Sequence, residues 1–323
     1  MIILTHYYKQ LDPFYSAAFT RSYLTKSYEE TNIEQPKTKS FNTCYTFIYH
    51  LKHGQLYTEQ AGMAPMELKP MLLFYGLVQF LKAAILTKDP TYPANSQVLA
   101  HGVTTRKRKK SGFTFLDDEV KIQRNGLFSH LLDKMFHMKH FDNEKIKMTS
   151  LLQQLPEMQT LFKQFNYAKY LEKGIYETSV IRFSSNILDT YHMTANRFTQ
   201  FIQYQQQPWY KKGASIEEDK RYISIPFSKK PSTLNGFPFI FDQDNIPHLF
   251  KTKESHLRLP EVLVHYLLLY NLSMICRYET EWWGELLHTF DGNDLPFITQ
   301  YVNYAQHRVP ALIVELLKRD RSQ

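Results

Sequence analysis

The run Val262-Leu-Val-His265-Tyr-Leu-Leu-Leu-Tyr-Asn271-Leu-Ser-Met-Ile-Cys276 is apolar at almost every position. A surface helix would leave one polar side, and a half-buried strand would alternate. This run does neither. At 15 residues it is shorter than the roughly 20 a bilayer span requires, and His265 and Asn271 interrupt it. A helix buried on all sides is the reading that fits, so the chain is predicted to organise its core around helices.

Working outward, Glu67 to Thr87 reads the same way. Leu72, Leu73, Tyr75, Gly76, Val78, Phe80, Leu81, Ala84 and Ile85 leave Gln79 and Lys82 as almost the whole polar face, and Asp89-Pro90-Thr-Tyr-Pro93 ends the helix. Spacings of three and four predict further helices over 12–26, 41–59, 126–138 and 194–206. Asp12 is expected to cap the first of them, and Ile33 to Ser40 to form a loop. Residues 279–290, 295–307 and 310–319 read as three separate helices, the last starting at Pro310. Short strands are expected at Phe113–Leu116, Glu119–Gln123, Tyr176–Phe183, Arg221–Pro226 and Gly236–Phe241. The predicted class is α+β, mainly α-helical. Helical parts at 1–169 and 259–323 flank a strand-bearing segment, 170–258, that holds a small antiparallel β element.

Composition agrees with a folded chain. Of 323 residues 43% are hydrophobic and 15% aromatic, which excludes a disordered polymer. Cys44 and Cys276, far apart on apolar segments, fit a reducing compartment better than a disulfide framework. Met1-Ile-Ile-Leu-Thr-His lacks the basic start and long apolar stretch of a signal peptide. A cytoplasmic location is expected.

The net charge of +8 is concentrated locally. His101-Gly102-Val-Thr-Thr leads into five consecutive cations: Arg106, Lys107, Arg108, Lys109 and Lys110. Like charges this dense repel unless solvent or an anion matches them, so the run is a candidate contact surface for a phosphate, a nucleotide or an acidic protein face. A second candidate is Arg277-Tyr278-Glu279-Thr280-Glu281-Trp282-Trp283-Gly284. Two adjacent tryptophans cannot face the same way on a helix, so one is expected inside and the other over a groove. Arg277 is expected either to bind a phosphate or to pair with Glu281.

Other chemistries find little support. The chain has no Gly-x-Gly-x-x-Gly, no phosphate-loop Gly-Lys-Ser/Thr, no Gly-x-Ser-x-Gly and no His-Glu-x-x-His. His137 and His140 stand three apart without a supporting ligand set, so no metal or other cofactor is expected.

Three segments carry a family resemblance. They are Leu68-Lys-Pro-Met-Leu-Leu-Phe-Tyr75-Gly76 through Lys82 to Pro90, Leu99-Ala-His101-Gly102-Val-Thr-Thr-Arg106-Lys107, and Tyr266 to Tyr270 through Arg277-Tyr278-Glu-Thr-Glu-Trp282-Trp283-Gly284. Together they resemble the bacterial YaaC-like family over most of the chain. The resemblance implies no particular reaction. Because such proteins are often encoded beside the gene for IMP dehydrogenase, it implies a link to purine-nucleotide metabolism. The function expected from it is a binding or regulatory protein whose basic surface meets a protein or nucleotide partner, for example an enzyme of guanine-nucleotide synthesis such as IMP dehydrogenase.

A weaker resemblance is to HEPN-type helical domains, which carry an Arg-x(4–6)-His motif used in RNA cleavage. Here Arg124-Asn125-Gly-Leu-Phe-Ser-His130 matches and would supply a ribonuclease centre. So loose a spacing recurs by chance, and Arg258 to His265 matches it too.

Overall fold

The computed structural model describes residues 2–106, 112–138, 144–234, 236–290 and 292–319. In chain order come helices α1 (Ile2–Leu11), α2 (Ala17–Glu30), α3 (Pro36–Met63) and α4 (Lys69–Leu86), then strands β1 (Val103–Thr105) and β2 (Glu119–Ile122). Next are α5 (Leu127–Phe136), β3 (Lys145–Lys147), α6 (Met148–Leu152), α7 (Gln159–Gln164), β4 (Leu171–Lys173), β5 (Ile175–Tyr176) and β6 (Val180–Ser184). Then follow α8 (Asn186–Tyr191), α9 (Ala195–Tyr204), β7 (Glu217–Glu218), β8 (Tyr222–Pro226), β9 (Ile240–Phe241) and β10 (Pro247–Phe250). The chain ends with α10 (Glu261–Tyr278), α11 (Thr280–Thr289) and α12 (Asp294–Arg319). The class is α+β and mainly helical, with 56% of residues in helices.

Two compact units divide the chain: Met1–Met148 with His265–Gln323, and Thr149–Val264. In the first, α3 and α4 pack so closely that side chains must be missing between them. A Cβ on Gly76 would meet the Thr58 hydroxyl at 2.6 Å and the Gly54 carbonyl at 3.2 Å. Phe74 of α4 sits edge-on to Tyr266 and Tyr270 of α10, at 5.3 and 5.6 Å. Both Phe74 and Tyr266 are fully buried, and burying a ring of that size contributes roughly 1.5–3 kcal/mol. α4 has the length and hydropathy of a membrane span, and 67% of it is buried inside the protein. β1, β2 and β3 form an antiparallel sheet in that order, with Val103 opposite Ile122 and Val120 opposite Ile146.

The second unit holds two small antiparallel sheets, β4-β10-β9 and β5-β6-β8-β7. Alternation along β6 and β8 sends Ile181, Phe183, Ile223 and Ile225 inward, where they join Phe198, Ile202 and Trp209.

Several local expectations are corrected. Asp12 opens a short 3-10 turn, Asp12–Tyr15, and the helix that follows is capped by Ser16, whose Oγ accepts from Phe19 N at 3.4 Å. The expected loop at 33–40 is already helical from Pro36, where a proline at the first position is pre-shaped for a helix. Phe113–Leu116 is not a strand: the buried Asp294 carboxylate accepts from Phe115 N at 2.6 Å and Leu116 N at 3.3 Å, which holds a turn. Of Gly236–Phe241, only Ile240 and Phe241 pair in a sheet. Residues 295–307 and 310–319 belong to one helix with Pro310 inside it. Buried Val309, Leu312 and Ile313 on either side keep the core face continuous, which offsets the hydrogen bond that proline cannot donate.

Candidate functional site

Three helices of the first unit each bring a polar stripe to one place. On α4, Tyr75, Gln79 and Lys82 stand at i, i+4 and i+7. On α3, His50, His53 and Tyr57 stand at i, i+3 and i+7, and on α10, Tyr270 and Arg277 are seven apart. Those spacings put each set on a single helix face. The fourth contributor is His101, just before β1.

Contacts join these stripes. Arg277 donates from Nη1 to the Tyr75 hydroxyl at 2.9 Å and from Nε to the Ser273 carbonyl at 2.9 Å. Its guanidinium lies 5.6 Å from the Tyr75 ring centre and 5.1 Å from that of Tyr278. The His101 ring is edge-on to Phe74, Tyr270 and Tyr75, at 5.0, 5.7 and 6.4 Å. Tyr57 lies 6.0 Å from Tyr75. His50 Nδ1 shares a 2.6 Å hydrogen bond with Gln79 Oε1, which makes Nδ1 the donor and leaves Nε2 without a proton in the neutral ring.

The charge is one-sided. Burial, then the Arg277 and Lys82 cations, push the His101 pKa down. Burial is also the first cause for His50, with Lys82 and His53 lowering it further against the Gln79 bond. Lys82 itself is lowered by burial. Among the described residues no carboxylate lies within 4.0 Å of Arg277 or Lys82, and the alternative pairing of Arg277 with Glu281 is not made. Cations half removed from water without a counter-charge favour an anion in their midst.

The loop that presents His101 is braced by backbone. Tyr266 donates its hydroxyl to the His101 carbonyl at 2.8 Å, while Leu127 N and Phe128 N donate to the Ala100 and His101 carbonyls at 2.7 and 3.2 Å. Gly102 has φ +76° and Gly126 φ +130°, backbone that disfavours any side chain, and a Cβ on Gly126 would fall on the Gly102 backbone. The Gly102 position is therefore one of glycine against glycine.

The remaining candidates are spread out. Arg106 is exposed at the end of β1, and Lys107, Arg108, Lys109 and Lys110 lie outside the described residues. Trp283 is buried with Nε1 donating to the Glu67 carbonyl at 3.2 Å, and Trp282 is half-buried, edge-on to Phe113 at 4.8 Å. Arg124 and Asn125 are exposed, and His130 Nε2 lies 2.9 Å from Asp89 Oδ2. His137 is the left-handed cap of α5, and His140 lies outside the described residues. Among the described residues no group of three His, Cys, Asp or Glu is placed to hold a metal ion.

Reading the chain residue by residue singles out His101, Arg277 and Tyr278 but misses Tyr75, Lys82, His50, Gln79 and Tyr270. One signal for them is visible: Gln79 and Lys82 are polar exceptions in an apolar helix, on the same face as Tyr75.

Among known proteins, the family model described as YaaC-like Protein matches residues 12–317. No curated protein and no solved structure matches the chain.

Proposed function

We propose, for a chain that belongs to the YaaC-like family, that it is a binding protein which recognises a phosphorylated nucleotide at the cluster around Arg277. The observation that carries this is the set of Arg277, Lys82, His50 and His101, coupled electrostatically, with no carboxylate among the described residues within 4.0 Å of Arg277 or Lys82, and with Tyr57, Tyr75, Tyr270 and Tyr278 around them. Arginine suits the bidentate geometry of phosphate, and aromatic rings suit a planar base. Charge and aromatic surface gathered in one place support binding as the role of the cluster. β1 leads from His101 to the exposed Arg106, and a cation there would raise the encounter rate with an anionic ligand. A regulatory contact with an enzyme of guanine-nucleotide synthesis, such as IMP dehydrogenase, follows from the family resemblance and extends this proposal.

Isothermal titration of the full chain with nucleoside mono-, di- and triphosphates, beside the matching nucleosides, tests it. Binding of a nucleotide with none of its nucleoside is expected. Arg277→Gln is expected to weaken that binding about thirtyfold, equivalent to about 2 kcal/mol for a lost charge-assisted pair. Absence of heat with every nucleotide, or an Arg277→Gln protein that binds like the wild type, would overturn the reading. Capture of purified IMP dehydrogenase by the immobilised full chain, with and without the nucleotide, tests the regulatory extension.

One observation favours a second reading. His130 is oriented by Asp89 as a general base is by a carboxylate, and Arg124 and Asn125 are exposed on the turn before it. A HEPN-like ribonuclease would use that set. Intact single-stranded RNA after prolonged incubation with the pure protein excludes it.

A further inference from the structure

The second unit carries an open cleft built from residues with no part in the cluster above. On α9, Arg197, Phe201 and Tyr204 stand at i, i+4 and i+7, one helix face. With Tyr191 and Lys253 they line a cleft of about 580 Å³. A neighbouring cavity of about 420 Å³ shares Tyr191, Phe201 and Lys253 and adds Phe237, His256 and Arg258.

Three features of this cleft call for a ligand. Tyr204 is 84% exposed, with no aromatic partner among the described residues. Arg197 and Arg258, one in each cavity, have no carboxylate within 4.0 Å among the described residues, whereas Lys253 is matched by Glu254 at 3.7 Å. Asp189 lines a third cavity, of about 380 Å³, which shares Arg197 with the cleft. Arg258 stands over Phe237 with its guanidinium carbon 5.2 Å from the ring centre, and it holds a left-handed φ of +59° that costs a non-glycine residue about 1 kcal/mol. Third, the Nδ1 of His256 accepts from Arg258 N at 2.8 Å, so the neutral ring carries its proton on Nε2, and that atom is buried without a partner.

We infer that this cleft binds single-stranded nucleic acid, with bases stacked on Tyr204 and on the Phe237–Arg258 pair and phosphates on Arg197 and Arg258. One exposed ring, Tyr204, and the half-buried Phe237 beside two arginines without a carboxylate partner suit a strand, because every base has a face to stack and every step a charge to match. Unpaired arginines in both cavities favour more than one phosphate, and so a strand over a free nucleotide.

Fluorescence anisotropy of the full chain with a labelled 12-mer oligouridylate, a duplex hairpin and competing UMP tests this. Binding of the single strand over the duplex is expected, and Tyr204→Ala is expected to weaken it about tenfold. Arg197→Gln and Arg258→Gln should each lower the slope of log K against log salt by about 0.7. No binding at tens of micromolar protein in low salt would overturn the inference, as would variants that bind like the wild type. Loss of binding with Arg277→Gln alone would move the strand to the first unit's cluster, and displacement by UMP at the strand's own concentration would make the ligand a free nucleotide. Either result rejects the strand in this cleft.

Discussion

Arg277 Nη1 donates to the Tyr75 hydroxyl at 2.9 Å across 202 residues of sequence. The bond ties α10 to α4 and fixes the guanidinium between two tyrosine rings, so the charge is positioned before any ligand arrives. Tyr75→Phe keeps the ring and removes the hydroxyl. It is expected to cost about 0.5–1.5 kcal/mol in urea unfolding and to weaken nucleotide binding less than Arg277→Gln does.

The histidines of the cluster set a pH dependence. His101 and His50 have folded pKa values below the usual 6.5. Their neutral forms therefore contribute stability that is present above pH 6.5 and lost as pH falls toward the folded values. An anion among them reverses the preference by favouring the protonated rings. Nucleotide affinity is accordingly expected to rise as pH falls from 8 to 6, with proton uptake on binding. Titration heats in two buffers of different ionisation enthalpy measure that uptake.

Asp89 gives a second, acid-side dependence. The hydrogen bond from His130, aided by Thr91, holds its carboxyl down at about 2. A depressed carboxyl contributes stability above its unfolded pKa near 4 and loses it as pH falls through 2. With partial solvent screening the loss is about 1–2 kcal/mol. His130→Phe should flatten that part of the stability profile, measured by urea unfolding between pH 5 and 2.

Asn271 interrupts the most apolar helix for a structural reason. Its Nδ2 donates to the buried Asp118 carboxylate at 2.7 Å and to Thr105 Oγ1 at 3.3 Å, which fastens the β1–β2 sheet to α10. Asn271→Leu removes a donor from a buried carboxylate and is expected to cost about 2–4 kcal/mol. The melting temperature reads that cost, and nucleotide affinity should fall with it because β1 follows directly on His101.

Gly126 has no room for a side chain. Gly126→Ala places a methyl group on the Gly102 backbone at a φ of +130°. A loss of about 3 kcal/mol or more is expected, measured by thermal unfolding. Gly112→Ala, also at positive φ (+73°) but with nothing within 4 Å of the added Cβ, should cost no more than the backbone strain.

The sequence by itself determined the local elements wherever one pattern dominated. Apolar runs with few polar exceptions made α4 and α10 buried helices, and Asp89-Pro90 stopped the first because proline denies the helix its hydrogen bond. Where local signals competed, packing decided. Pro310 marks a break by its own chemistry, yet buried residues on both sides carry α12 through it, and Asp294, distant in sequence, turned the alternating Phe113–Leu116 into a turn. The candidate site belongs wholly to tertiary structure. Tyr75, Lys82, His50 and Arg277 each sit on a separate helix turn whose spacing says which face they share but not which helix they meet. That meeting was set by the close approach of α3 and α4, by Phe74 packed against Tyr266 and Tyr270, and by the glycine pair under His101. These contacts are long-range, and their energies come from burial and shape, which a linear pattern does not encode.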